Sequence, residues 1–133
     1  MKSNIAALFV LLLGSTPFAA SAQPIIPNNS IAINVTATGT TTTQLVANSG
    51  VSSIYVTSFN VIGSGSGAVT FEYGTGTNCA VGTTVLTGAY PLVPDAGVSV
   101  GSGTGTVLRI PSGNALCIVT TAATAGSLSY LQY

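Results

Sequence analysis

The chain has 133 residues, of which two are Lys or Arg, two are Asp or Glu and none is His. So little positive charge excludes a nucleic-acid backbone as a partner, because displacing its counterions takes many Lys and Arg, and it excludes an anionic membrane surface on the same ground. The lack of histidine removes the usual base of a Ser-His-Asp hydrolase and the commonest zinc ligand.

At the amino end, Lys2, the apolar run 5–13 and the small triplet Ala20-Ser21-Ala22 read as an export signal over residues 1–22, with the mature chain starting at Gln23. The run is too short to cross a bilayer, and no later stretch approaches the roughly 20 apolar residues that a membrane helix needs. No membrane insertion is therefore expected after cleavage, and the destination is extracellular, periplasmic or at the cell surface. Residues 23–30, with Pro24, Pro27, Asn28 and Asn29, read as a flexible N-terminal arm. Residues 31–133 are then enough for one domain with one core.

After the arm, runs rich in Val, Ile, Thr, Tyr and Phe alternate with Gly, Pro, Asn and Asp clusters, the pattern of an antiparallel β-sandwich. About nine short strands are predicted, over 31–36, 42–47, 53–62, 68–73, 84–90, 97–100, 106–110, 115–120 and 127–132. In the fourth, period-2 alternation sends Val69, Phe71 and Tyr73 to one face and Thr70 and Glu72 to the other, so Glu72 is expected in solvent. Leu116-Cys117-Ile118-Val119 is apolar on both faces and predicts a covered central strand. The stretch 101–106, GSGTGT, is a turn: a phosphate-cradling loop requires a following helix, and none is predicted.

Export places Cys79 and Cys117, the only two cysteines, in an oxidising compartment, where one disulfide is expected. It would tie the Gly-rich loop after the Phe71 strand to the central strand. No metal site is expected, since zinc needs more His or Cys and a hard cation needs several carboxylates. No cofactor motif is present. Asn28-Asn29-Ser30 and Asn34-Val35-Thr36 match the glycosylation acceptor pattern.

Beyond Cys79 and Cys117, the mature chain has only Glu72, Asp95 and Arg109 as ionisable groups apart from tyrosines and termini. Glu72 and Asp95 are the one pair on which a glycosidase mechanism could be written. The simpler reading makes Asp95 a turn former after Pro94 and Glu72 a solvated strand residue, with Arg109 available to pair with either. No catalytic residue is assigned. Tyr55, Tyr90 and Tyr133 are the candidate ligand contacts, as rings that stack on a sugar or a partner protein, although aromatics in alternating strands commonly serve the core.

The segments Leu45-Val46-Ala47, Ile54-Tyr55-Val56, Gly67-Ala68-Val69-Thr70-Phe71, Pro111-Ser112-Gly113-Asn114-Ala115-Leu116 and Gly126-Ser127-Leu128-Ser129-Tyr130 resemble a loose group of short all-β proteins of phage and bacterial genomes. The resemblance implies a jelly-roll-like sandwich acting as a structural or decorating module, with no catalytic residues. The export signal departs from a virion component and points to the cell surface or beyond.

Two functions follow. In the first, a neutral secreted subunit forms a homo-oligomer, surface layer or filament, with Ile31, Ile33 and Val35 on a strand that adds to a neighbour's sheet. A near-zero net charge removes the repulsion that keeps monomers apart. In the second, a monomeric module binds a glycan or surface protein through loops at one end of the sandwich.

Overall fold

The computed structural model describes residues 29–102 and 105–133. The export signal and most of the arm lie outside the described residues, as do Gly103 and Thr104 of the 101–106 stretch.

Ten strands are formed among the described residues: β1 (Asn29–Val35), β2 (Thr41–Val46), β3 (Ile54–Gly63), β4 (Gly67–Thr75), β5 (Val81–Val85), β6 (Tyr90–Leu92), β7 (Gly97–Val100), β8 (Leu108–Ile110), β9 (Ala115–Thr120) and β10 (Thr124–Gln132). A 3-10 turn, Thr77–Cys79, sits between β4 and β5. The first sheet runs β1-β10-β3-β7 with β8 also on β3, and the second runs β2-β9-β4-β5 with β6 also on β4. All these pairings are antiparallel.

The pairs nest in sequence: β1 with β10, β2 with β9, β3 with β7 and β8, β4 with β5 and β6. Successive pairs alternate between the sheets, as when one long ribbon of paired chain is rolled up. This is a jelly roll, as the sequence resemblance implies. Alternation alone could not distinguish it from an immunoglobulin-like path, because the connections cross between sheets.

Side chains from both sheets meet in one core. Ile33, Val56, Phe59, Val61 and Leu128 come from the first sheet and Val69, Phe71, Leu116 and Ile118 from the second, and all are buried. The Phe59 and Phe71 rings join the layers at 4.6 Å between centroids, tilted by 52°. Each such ring removes a large apolar area from water, and the tilted geometry adds about 0.5–1.5 kcal/mol beyond the burial.

One predicted strand is really two. The run expected over 84–90 leaves the ladder after Val85 and rejoins β4 at Tyr90. Between them, Leu86 and Thr87 donate backbone N–H to the Phe71 carbonyl, and Thr87 Oγ1 accepts from Phe71 N at 3.0 Å. This crimp carries the edge past β4 without a continuous ladder. Residue-type patterning does not see it, because Leu86 and Thr87 are ordinary strand residues.

Candidate functional site

Cys79 and Cys117 are bonded, with sulfurs 2.07 Å apart. Cys117 lies at the centre of β9, flanked by β2 and β4, and Cys79 ends the 3-10 turn, which packs on β2, β4 and β9 together. Asn78 and Cys79 both have positive φ, 51° and 58°, so the chain reverses sharply here. The Asn78 side chain then accepts a hydrogen bond from Gln44 N at 3.1 Å. The turn is thus laid across the outer face of the second sheet and held there covalently.

Glu72 is the residue most changed by this. Its side chain points to the outer face, as alternation requires, but that face is roofed at this point, and Glu72 is only 9% exposed. The expectation of a solvated Glu72 is therefore corrected: a face that alternation marks as outward becomes buried where a tethered turn covers it. Desolvation raises its carboxyl pKa above the ordinary value of 4.5. Asp95 stands elsewhere, in the turn between β6 and β7, where its N–H donates to the Gly63 carbonyl at 3.1 Å. The cavity that Asp95 lines does not include Glu72, so the structure does not assemble the two carboxylates into one site.

The three candidate tyrosines separate. Tyr55 and Tyr133 stack at 4.8 Å between centroids with planes 14° apart, and the Arg109 guanidinium lies 5.8 Å from the centre of the Tyr55 ring. Arg109 is therefore placed on an aromatic ring, and Tyr55 and Arg109 are cross-strand partners of β3 and β8. Tyr133 extends the sheet, exchanging backbone hydrogen bonds with Ser53 at 2.9 and 3.2 Å, and the residue is 62% exposed. Tyr90 goes to the core, 6.1 Å from Phe59. Tyr73 and Tyr130 also pack on the core.

Ile31, Ile33 and Val35 all project inward from β1, which pairs with β10 of its own chain over Asn29–Val35 without a register break. Ile33 and Val35 are 1% and 4% exposed. β1 is thus part of its own sandwich rather than a detached donor strand, while its second edge has no partner among the described residues.

The other edges are interrupted. β2 bulges between Gln44 and Val46, and β5 shifts register opposite Gly74, where Gly82 has φ 63°. β6 contains Pro91, and β7 and β8 span only four and three residues, with Arg109 on β8. Bulges, prolines, charges and shortness all hinder strand addition. β1 has seven residues, NSIAINV, and none of these obstacles.

No family model and no curated protein matches the chain. Among solved structures, the chain is similar to one described as the structure of infectious bursal disease virus Gx strain, with 16% identity, a TM-score of 0.32, and coverage of 77% of this chain and 32% of that one. The chain spans about a third of the length of that solved chain.

Proposed function

We propose that the protein is a non-enzymatic, exported structural subunit that self-associates through the free edge of β1, with residues 1–22 removed as a signal. The observation that carries this reading is the contrast among the edges: β1 alone among the described residues is long, regular and free of charge and proline. Its outward side chains Ser30, Ala32 and Asn34 are small and exposed, so a second backbone can approach closely. Two copies pairing antiparallel about Ala32 would set Ile31 opposite the partner's Ile33 and join two sheets into one. With exposed charge confined to Asp95 and Arg109 among the described residues, nothing opposes the approach.

The test is the solution mass of the chain from Gln23, by light scattering after size exclusion, against Ala32→Lys. The parent should run as a dimer or larger. The variant should be monomeric with unchanged circular dichroism, since Ala32 is exposed and two lysines directly opposite repel. A monomeric parent overturns the reading. Truncating the chain at Thr40 would not serve, because it would remove Ile33 and Val35 from the core.

A second reading, a binding module for a glycan or surface protein, is favoured by the stacked Tyr55–Tyr133 pair with Arg109 beside it. Jelly rolls serve in both capsid shells and lectins, so the fold does not choose between the two.

A further inference from the structure

Asp95 and Arg109, the exposed charged side chains among the described residues, stand at opposite ends of β3. Asp95 N–H donates to the carbonyl of Gly63, where β3 finishes, and Arg109 is the cross-strand partner of Tyr55, near where β3 starts. From Tyr55 to Gly63 the strand covers about 26 Å, so the two charges cannot meet within one copy. They do lie on the same side of β3. The strand that follows Asp95, β7, and the strand that carries Arg109, β8, both pair with β3 on the side away from β10.

Each charge has exposed apolar neighbours. Ile62 precedes Gly63 on β3, and Val93 closes the Asp95 turn by accepting from Ala96 N–H at 3.1 Å; both side chains are exposed. At the other end the exposed Tyr133 stacks on Tyr55, and the exposed Val51 lies two residues before Ser53, which bonds the Tyr133 backbone. Exposed apolar residues scattered singly are ordinary. Here they flank the only two exposed charged side chains among the described residues, and the two ends form patches of opposite sign. The Arg109 guanidinium, 5.8 Å from the centre of the Tyr55 ring, offers that ring its face, while the N–H groups in its plane suit a carboxylate.

We propose that copies of this chain dock end to end, the Asp95 turn of one against Arg109 and the Tyr55–Tyr133 pair of the next. A shift along β3, with no more rotation than the strand's own twist, makes the match, because both charges lie on one side of it. A two-fold contact between like ends would instead set Asp95 on Asp95 or Arg109 on Arg109. The contact is therefore heterologous, leaves one free patch at each end of a row, and propagates as a filament. One exposed ion pair with a few apolar neighbours binds weakly, with Kd on the order of 1 mM, so dilute copies blocked at β1 stay monomeric. The contact goes beyond the β1 pairing and does not rest on it, so either can fail without the other.

The test is the amide spectrum of the isotope-labelled chain from Gln23 at low salt, followed as it is concentrated from about 0.05 to about 2 mM, a range that brackets the expected Kd. Amides near Asp95 and amides near Tyr55, Arg109 and Tyr133 should shift together. Pairing through β1 is read separately, at residues 29–35. Arg109→Glu should abolish the shifts, since it sets two carboxylates against each other. Adding unlabelled Asp95→Lys to labelled Arg109→Glu should restore them, because each variant supplies the charge that the other lacks. Should Asp95→Lys fail to fold, Asp95→Asn, which tolerates positive φ, takes its place and should by itself weaken the shifts several-fold. No concentration-dependent shift, shifts at one end alone, shifts that persist in Arg109→Glu or are unchanged in Asp95→Asn, or no recovery on mixing the two folded variants would overturn the proposal.

Discussion

Glu72 lies directly opposite Cys117 in the register of β4 against β9, on the outer face of the second sheet. The disulfide from Cys117 holds Cys79 and its turn against that face. One covalent bond therefore does two things: it fixes a Gly-rich connection and it keeps a carboxyl group out of water. Burying a carboxylate without a cationic partner disfavours its charged form.

The consequence is a stability that falls as pH rises. With its pKa raised above 4.5 by burial, Glu72 keeps its proton in the folded state to a higher pH than in the unfolded chain. Below the unfolded value the group makes no demand. As pH climbs through the raised folded value the full cost of burying the charge appears. Glu72→Gln should thus be more stable than the parent at neutral pH, with the difference vanishing in acid below the ordinary carboxylate range. Urea unfolding at several pH values reads this directly, and equal stability of the two proteins at neutral pH would refute it.

Reducing the bond should remove much of the stability. Cys79 and Cys117 are 38 residues apart, and a loop of that size corresponds to about 4 kcal/mol in the chain-entropy treatment. A Cys79→Ala, Cys117→Ala variant should show a loss of that order in chemical denaturation. Its pH dependence should also flatten, because a turn no longer tethered lets water reach Glu72. A large loss with the pH dependence unchanged would separate the two roles and disprove their coupling.

The strands were legible from the sequence because alternation is a local property: Val69 and Phe71 are inward and Cys117 is central, as their neighbours indicate. So was the disulfide, since a chain with only two cysteines leaves one pairing. What escaped was whatever depends on how a segment is anchored or paired far along the chain. Glu72 is covered by a turn that is anchored to β9, over thirty residues further along by the disulfide's own separation. β1 looks like a loose donor until the far end of the chain, β10, is seen to pair with it.

Gly126 shows how closely β10 and β3 approach. A Cβ placed there would land on the Asn60 carbonyl oxygen, and one at Gly97, on β7 at the other side of β3, would land on the Val61 carbonyl oxygen. Both clashes are with backbone, which cannot swing aside as a flexible side chain can. Gly126→Ala should therefore cost about 3 kcal/mol, at the upper end of overpacking effects. By contrast Gly65→Ala, where nothing stands within 4 Å, should be nearly neutral. Thermal denaturation of the two variants side by side checks the pair, and similar losses in both would show that the tight approach is not what makes Gly126 necessary.

The stacking of Tyr133 on Tyr55 distinguishes a structural clasp from a surface kept for a ligand. Tyr133 is the last residue of the sequence, and its backbone already bonds to Ser53 on both sides. If the rings act as a clasp, the double-mutant cycle of Tyr55→Ala and Tyr133→Ala should give a coupling of about 0.5–1.5 kcal/mol. Arg109→Ala should weaken the clasp further, since an exposed cation over a ring contributes about 0.5–1 kcal/mol. Guanidinium must be avoided as denaturant because it competes for the same ring face, so urea is used. Coupling in this range identifies the pair as the fastening of Tyr133 to β3. A coupling near zero would leave two partly exposed rings and a guanidinium that do not stabilise the fold, and the binding-module reading would then gain the surface that it needs.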